Sequence, residues 1–283
     1  MMDRLFQGTN PPERSPTWTK VKVICERCKK EFETPKRSDM PIEQLQKICQ
    51  ECEIIERYAT RVKESKEKLP AIRKEVQETW GEQCGLPAKF QDKTFGGFNQ
   101  KLQPKAYQVM REYDGETSVI LSSDSLYGVG KTHLIAAIIN KMIDGVSGAH
   151  IDKYGEVHKH SCNILFTTEN QMLARIRATY NKQDDDSPRQ ETERDVLKKL
   201  TTVSHLFIDD VGKVRPRDYS FLQGVYFQVI DGRYCNEYPI VLTTNLSLVE
   251  LEKHIGGACA DRLREMCGKN IIKMSGKSQR IKD

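Results

Sequence analysis

The sequence predicts an α/β protein: a phosphate-loop core whose parallel sheet is flanked by helices, preceded by a small four-cysteine metal domain. Three observations carry this. Ser125-Leu-Tyr-Gly-Val-Gly-Lys-Thr132 lies between a strand-like run, Ser118–Leu121, and a helix-like run, His133–Ile139. Leu206-Phe-Ile-Asp-Asp210 is an apolar run that ends in two carboxylates. Cys25-Glu-Arg-Cys28 and Cys49-Gln-Glu-Cys52 are two C-x-x-C pairs with 20 residues between them.

The cysteine pairs come first along the chain. Tetrahedral Zn²⁺ needs four thiolates, and each C-x-x-C turn supplies two of them on one knuckle. The polar segment between the pairs, rich in Lys, Glu and Pro, has too few apolar residues for a core, so metal binding would supply much of its folding energy. With all four positions filled by protein, the site is expected to be structural and its role recognition of protein or nucleic acid. Lys20, Lys22, Arg27, Lys29 and Lys30 form a basic cluster beside the first knuckle.

A charged helix follows from Glu53 to Trp80, with Ile55, Tyr58, Val62, Leu69, Ile72 and Val76 as a narrow apolar stripe. Pro70 is expected to kink or divide it, and Gly81, Gly85 and Pro87 mark a boundary. These features divide the chain into a zinc-binding domain (1–56), a helical linker (57–87) and a nucleotide-binding domain (88–283).

In the phosphate loop, backbone N–H groups must converge on one point, so the turn favours residues without a Cβ, here Gly128 and Gly130. Ser125 stands where the usual G-x-x-x-x-G-K-[ST] motif has its first glycine, and serine serves there if its φ is negative. Val129 completes the loop, Lys131 reaches the β- and γ-phosphates of ATP, and the Thr132 hydroxyl ligates Mg²⁺. The helix N-terminus adds the positive end of its dipole.

Beyond the loop, Asn163–Thr168 reads as a strand and Asn170–Tyr180 as a helix carrying Arg175 and Arg177. A polar loop with Lys182 and Asp184-Asp185-Asp186 comes next, then a helix from about Glu191 to Leu200. One reading is an amphipathic helix with two solvated arginines. In the other, this helix-loop-helix resembles the insert with which helicase loaders grip single-stranded DNA, and the resemblance implies Arg175, Arg177 and Lys182 as phosphate contacts and Tyr180 as a stacking partner. Before this segment, His150, His158, His160 and Cys162 suggest either a surface hairpin or a second metal site.

A strand parallel to the first would bring Asp209 beside Thr132 to hold Mg²⁺, with Asp210 placed to polarise the water that attacks the γ-phosphate. Pro239–Thr244 reads as a buried strand. If it lies between the two motif strands, Asn245 at its end can orient the same water. Further on, Arg262 sits in a helix-like stretch, either paired on a solvated face or offered to a neighbouring subunit's nucleotide.

At 283 residues the chain can bury a substantial core, and its net charge of +5 permits nucleic-acid binding without demanding it. No 18-residue apolar run is present, so no membrane association is expected. Nine cysteines suggest metal ligands and reduced thiols, and with them a cytoplasmic location.

Taken as a set, these segments resemble the AAA+ ATPases of the DnaC/DnaI helicase-loader and IstB transposition-helper group. The matching pieces are Lys89–Phe95, Gly128–Leu134, Ile208–Gly212, Val229–Tyr234, Thr243–Ser247, Asp261–Leu263 and a closing Gly276-Lys-Ser-Gln-Arg280, covering roughly residues 88–283. The resemblance implies that Asp209 and Asp210 are the Walker B pair, Asn245 is sensor 1, Arg262 is the arginine finger, and Arg280 is a nucleotide-sensing arginine. It also implies an AAA+ core without a helical lid domain. The expected function is ATP-dependent loading of a hexameric replicative helicase in DNA replication, with slow ATP hydrolysis stimulated by single-stranded DNA and ATP-dependent self-association. Two alternatives stand beside it. An IstB-like transposition helper would share the ATPase half, but such helpers usually lack a front zinc module. A zinc nucleic-acid-binding module with a non-hydrolysing nucleotide site is favoured only by Ser125.

Overall fold

A cysteine-bearing hairpin begins the first of two compact units in the computed structural model, which describes residues 16–124, 127–180, 191–276 and 278. The first unit holds the described residues up to Leu69, with Ile151–His158. The second holds Pro70–His150 and the described residues from Lys159 onward.

In the first unit, strands β1 (Trp18–Ile24) and β2 (Glu31–Arg37) pair antiparallel in register from Trp18↔Arg37 to Ile24↔Glu31. The loop between them carries Cys25 and Cys28 and is closed by Cys25 N–H to Lys30 O at 2.9 Å. Cys49 immediately precedes helix α1 (Gln50–Gln83), and Cys52 lies in its first turn. Helix α1 runs unbroken through Pro70, where the boundary between the two units falls, and includes Gly81. In the first unit the apolar stripe faces solvent at Ile55 and Tyr58. Val76 and Trp80, in the second unit, are buried.

The second unit is built on a parallel sheet. After α2 (Pro104–Arg111) come β3 (Val119–Ser122) and α3 (Lys131–Gly145). Two short strands, β4 (Ala149–Ile151) and β5 (Val157–Lys159), pair as the expected hairpin, whose residues Ile151–His158 count with the first unit; His150 Nδ1 and His160 Nε2 are 2.8 Å apart. The chain continues through β6 (Ile164–Thr168), α4 (Glu169–Ala178), α5 (Glu193–Thr202), β7 (His205–Val211) and α6 (Ser220–Cys235). It closes with β8 (Ile240–Thr244), α7 (Leu248–Ile255), α8 (Gly257–Cys267) and β9 (Ile271–Lys273).

The sheet order is β6-β7-β8-β3-β9, and the β6–β7, β7–β8, β8–β3 and β3–β9 pairings are all parallel. Both faces are covered, so the strands are apolar at successive positions. Leu121, Phe207 and Val241 pack with Ile135 and Ile139 of α3 on one face. Their neighbours Ile120, Ile208 and Leu242 pack with Tyr226 and Val229 of α6 and Leu263 of α8 on the other. Parallel strands end at a common edge, and β8 lies between β3 and β7, the placement that the reading of Asn245 required. The phosphate loop, Asp209-Asp210 and Asn245 therefore share the carboxyl edge of the sheet, where open α/β sheets place their ligands.

Candidate nucleotide cleft and cysteine cluster

Of the phosphate loop, Ser125 lies outside the described residues. Gly128 and Gly130 have φ of +76° and +101°. A Cβ on Gly128 would also sit 2.1 Å from Ser278 Oγ, so Ser278 would have to shift, and the positive φ already disfavours other residues there. Val129 is buried, and Gly130 caps α3 without a side-chain bond, leaving the first N–H groups of the helix without a side-chain cap. Lys131 is 6% exposed and donates to Asn245 Oδ1 at 2.7 Å and to Ser123 Oγ at 2.5 Å. Ser123 Oγ in turn donates to Asn245 Oδ1 at 3.1 Å.

The carboxylate side is built by a bulge. Ile208 pairs with Leu242 and Val211 with Thr244, so β7 carries one residue more than β8 across the same step. Strict alternation would turn Asp209 and Asp210 to opposite faces. The bulge re-aims Asp210, which takes φ of +57°, a conformation aspartate tolerates better than most residues. Asp209 Oδ2 accepts from Thr132 Oγ1 at 2.8 Å, while Asp210 lines the cleft and pairs with Lys213. Thr243 supports both acids: its hydroxyl donates to Asp209 Oδ1 at 2.5 Å and accepts from Asp210 N–H at 2.9 Å. Burial raises the pKa of Asp209, and the nearby Asp210 charge adds to the rise; the Thr243 and Thr132 hydrogen bonds oppose it only in part.

Gly128 to Thr132, Asp210, Lys213 and Asn245 line a cleft of about 670 Å³, together with Phe90, Lys93 and Thr94 of the lead-in segment. A hydroxyl and a buried carboxylate 2.8 Å apart are hard oxygen donors, and a buried carboxylate with its charge penalised suits a divalent cation such as Mg²⁺. Thr243, Ser123 and Lys213 are missing from the sequence reading. A threonine inside an otherwise apolar strand was the available signal for the first; the other two carry none.

Other predicted residues lie apart from the cleft lining. Arg262 is on α8, its guanidinium 2.9 Å from Asp231 Oδ1 and over the rings of Phe227 and Tyr234. Arg175 on α4 pairs with Glu191, and Arg177 lies over Phe221. Tyr180 donates to Glu193 Oε1 at 2.6 Å. Lys182, Asp184 to Asp186 and Arg280 lie outside the described residues.

In the first unit, the ligand atoms of Cys25, Cys28, Cys49 and Cys52 all lie within 4.8 Å of one another. Among the described residues no other group of three or more His, Cys, Asp or Glu converges in this way. Cys28 and Cys49 sulfurs are 3.7 Å apart. Zn–S bonds of about 2.3 Å set tetrahedral S···S edges of about 3.8 Å, so the spacing fits. N–H donation from Cys28 and Cys49 lowers the Cys25 thiol to about 6. Burial and the sulfurs around it push Cys52 up to about 12. Four thiolates cannot all ionise in so small a space without a cation, which is the charge Zn²⁺ would bring.

Among the described residues, no helix is long and apolar enough to cross a membrane. A scan against protein-family models finds no match. The replicative helicase loader DnaC of Escherichia coli K12 is 25% identical over 160 residues, 56% of this chain and 56% of that protein. The uncharacterised protein YqaM of Bacillus subtilis 168 is 24% identical over 208 residues, 68% of this chain and 58% of its own. This chain thus spans little more than half the length of the curated relatives it matches. Among solved structures, a DnaC helicase loader aligns with a TM-score of 0.46 at 18% identity, covering 66% of this chain and 100% of that one. The chain is thus similar over 160 residues to the DnaC helicase loader of Escherichia coli, with a parallel α/β sheet carrying the phosphate loop and a four-cysteine cluster before it.

Proposed function

We propose that the chain is an ATP-dependent loader of a hexameric replicative helicase, binding ATP with Mg²⁺ and gripping single-stranded DNA as it does so. One observation carries the reading: in a chain similar to DnaC, Lys131, Thr132, Asp210 and Asn245 come from three separate strand ends and line one cleft, with Asp209 hydrogen-bonded to Thr132. A degenerate site would have little reason to keep all five.

In this reading the loop N–H groups between Gly128 and Lys131 cradle the phosphates. The Lys131 ammonium exchanges Asn245 and Ser123 for phosphate oxygens, so its position is set before ATP arrives. Thr132 and Asp209 would hold Mg²⁺, which on binding offsets phosphate charge. Asp210 polarises the attacking water. Asn245, released by Lys131, turns its amide to orient that water. Arg175, Arg177 and Lys182 bind DNA phosphates, and Glu191 is the anion that DNA displaces from Arg175. Slow hydrolysis is then stimulated by single-stranded DNA. The zinc domain, residues 1–56, docks on the helicase; residues 57–87 link it to the ATPase domain, 88–283.

Affinity capture of the tagged protein from its source cells, with ATP, Mg²⁺ and nuclease present, tests the loader role. The replicative helicase should be recovered with wild type and lost with Lys131→Ala. Recovery of a transposase in its place would move the same ATPase to transposition. Equal ATP affinity in wild type and Lys131→Ala would show that the nucleotide site is misplaced.

A further inference from the structure

Lys213 is a cation in the cleft that no motif announces. It follows the acidic pair by three residues, in the turn that leaves β7. The residues on either side of it are clamped: Gly212 N–H and Val214 N–H both donate to Glu169 Oε2 at 3.0 Å. Glu169 is fully buried, and its other oxygen accepts from Tyr226 Oη at 2.9 Å and lies 2.6 Å from His254 Nε2. With four partners from three other elements, this carboxylate fixes the turn. Gly212, at φ of +92°, would place a Cβ 2.4 Å from Leu246, the residue after Asn245. The turn is thus closed on both sides, and the Lys213 side chain projects into the cleft. There it shares a wall with Lys131, Thr132 and Asn245, and its ammonium pairs with the Asp210 carboxylate.

Read as an ATP site, the cleft would bring the γ-phosphate, the group by which ATP and ADP differ, beside that pair. A γ-phosphate beside Asp210 sets two anions against each other, and a cation between them relieves the repulsion. ADP brings no anion to that point. We propose that Lys213 is a γ-phosphate sensor. It holds Asp210 when no phosphate competes and transfers to the γ-phosphate oxygens when ATP binds, leaving the Asp210 carboxylate to the attacking water. The inference rests on reading the cleft as an ATP site. The side chain is more than half exposed, so it is free to make this exchange.

Titration calorimetry with ADP and with a non-hydrolysable β,γ-methylene ATP analogue, each with Mg²⁺, tests the assignment in the full chain. Lys213→Met should lose about tenfold in affinity for the ATP analogue, the worth of one charge-assisted hydrogen bond. Its ADP affinity should stay within about twofold of wild type, because no partner is lost there. Lys213→Arg should keep the wild-type preference. An ATP-to-ADP affinity ratio unchanged in Lys213→Met, whichever way the absolute affinities move, overturns the sensor while leaving the ATP site standing. Wild type that binds neither nucleotide overturns the ATP site and the sensor together.

Discussion

Burial makes ionised Asp209 costly, yet the carboxylate must be charged to hold a divalent cation. Its pKa is raised above the ordinary carboxylate value, chiefly by desolvation. A folded pKa above the unfolded one means that ionised Asp209 weakens the fold at neutral pH, and the penalty fades as pH falls through the folded pKa. Asp209→Asn should therefore raise the melting temperature of the nucleotide-free protein at pH 7 by about 2–4 °C, corresponding to about 1 kcal/mol in a domain of this size. The gain should shrink as pH approaches the carboxylate range, and ATP hydrolysis should be lost. Thermal melts across pH check this. A lower melting temperature at pH 7 would mean that the Thr132 and Thr243 hydrogen bonds outweigh desolvation. At this scale the sequence exposed the acids because they end an apolar run. It hid Thr243, whose hydroxyl acts only through a neighbouring strand. It also hid Glu169, whose four partners lie between 43 and 85 residues away.

Elements were legible where a local pattern sufficed. The apolar run 206–210 became the inner part of β7, and the two helices expected after β6 became α4 and α5, each bound within about two residues of the expected one. The bulge in β7 was not legible, because it is a mismatch in residue count with β8 and belongs to neither strand alone. Nor was the continuity of α1 through Pro70: proline removes one helical hydrogen bond, and the turns on either side carry the helix past it. The cysteine cluster joins two kinds of element, a hairpin loop and a helix start. Cys49 N–H donates to Cys25 Sγ at 3.4 Å, so the second knuckle is oriented by the first. With so few apolar residues around it, the first unit should depend on its metal. Chelation, or Cys49→Ser, should make residues 16–69 sensitive to protease and end helicase capture. Nucleotide affinity should remain within about twofold, since the cysteines and the nucleotide cleft belong to separate compact units and independent sites act additively. Limited proteolysis and nucleotide titration measure both; protection that survives chelation would show that the unit folds without metal.

Across the whole molecule, the groups that would turn ATP over do not all face one chain's cleft. Arg262 sits on α8, held by Asp231 and flanked by Phe227 and Tyr234, and it is absent from the cleft lining of its own chain. An arginine that acts on nucleotide from there must act on a neighbour's. The ion pair with Asp231 and the two rings limit its rotamers, so it would be offered in a fixed direction at little entropic cost. Arg262→Ala should bind ATP as wild type does, yet lose about a thousandfold in hydrolysis, the lower range for arginine fingers. Lys131→Ala should fail for the opposite reason, with an intact Arg262 and a damaged cleft. Mixing the two variants pairs an intact cleft on one chain with an intact arginine on the next, so hydrolysis should return to a sizeable fraction of wild type. A single-chain role for Arg262 predicts no recovery at any mixing ratio. Because each recovered site needs one subunit of each kind side by side, activity should peak near equal proportions and rise with total protein concentration. That dependence separates self-association through Arg262 from residual activity in either variant alone.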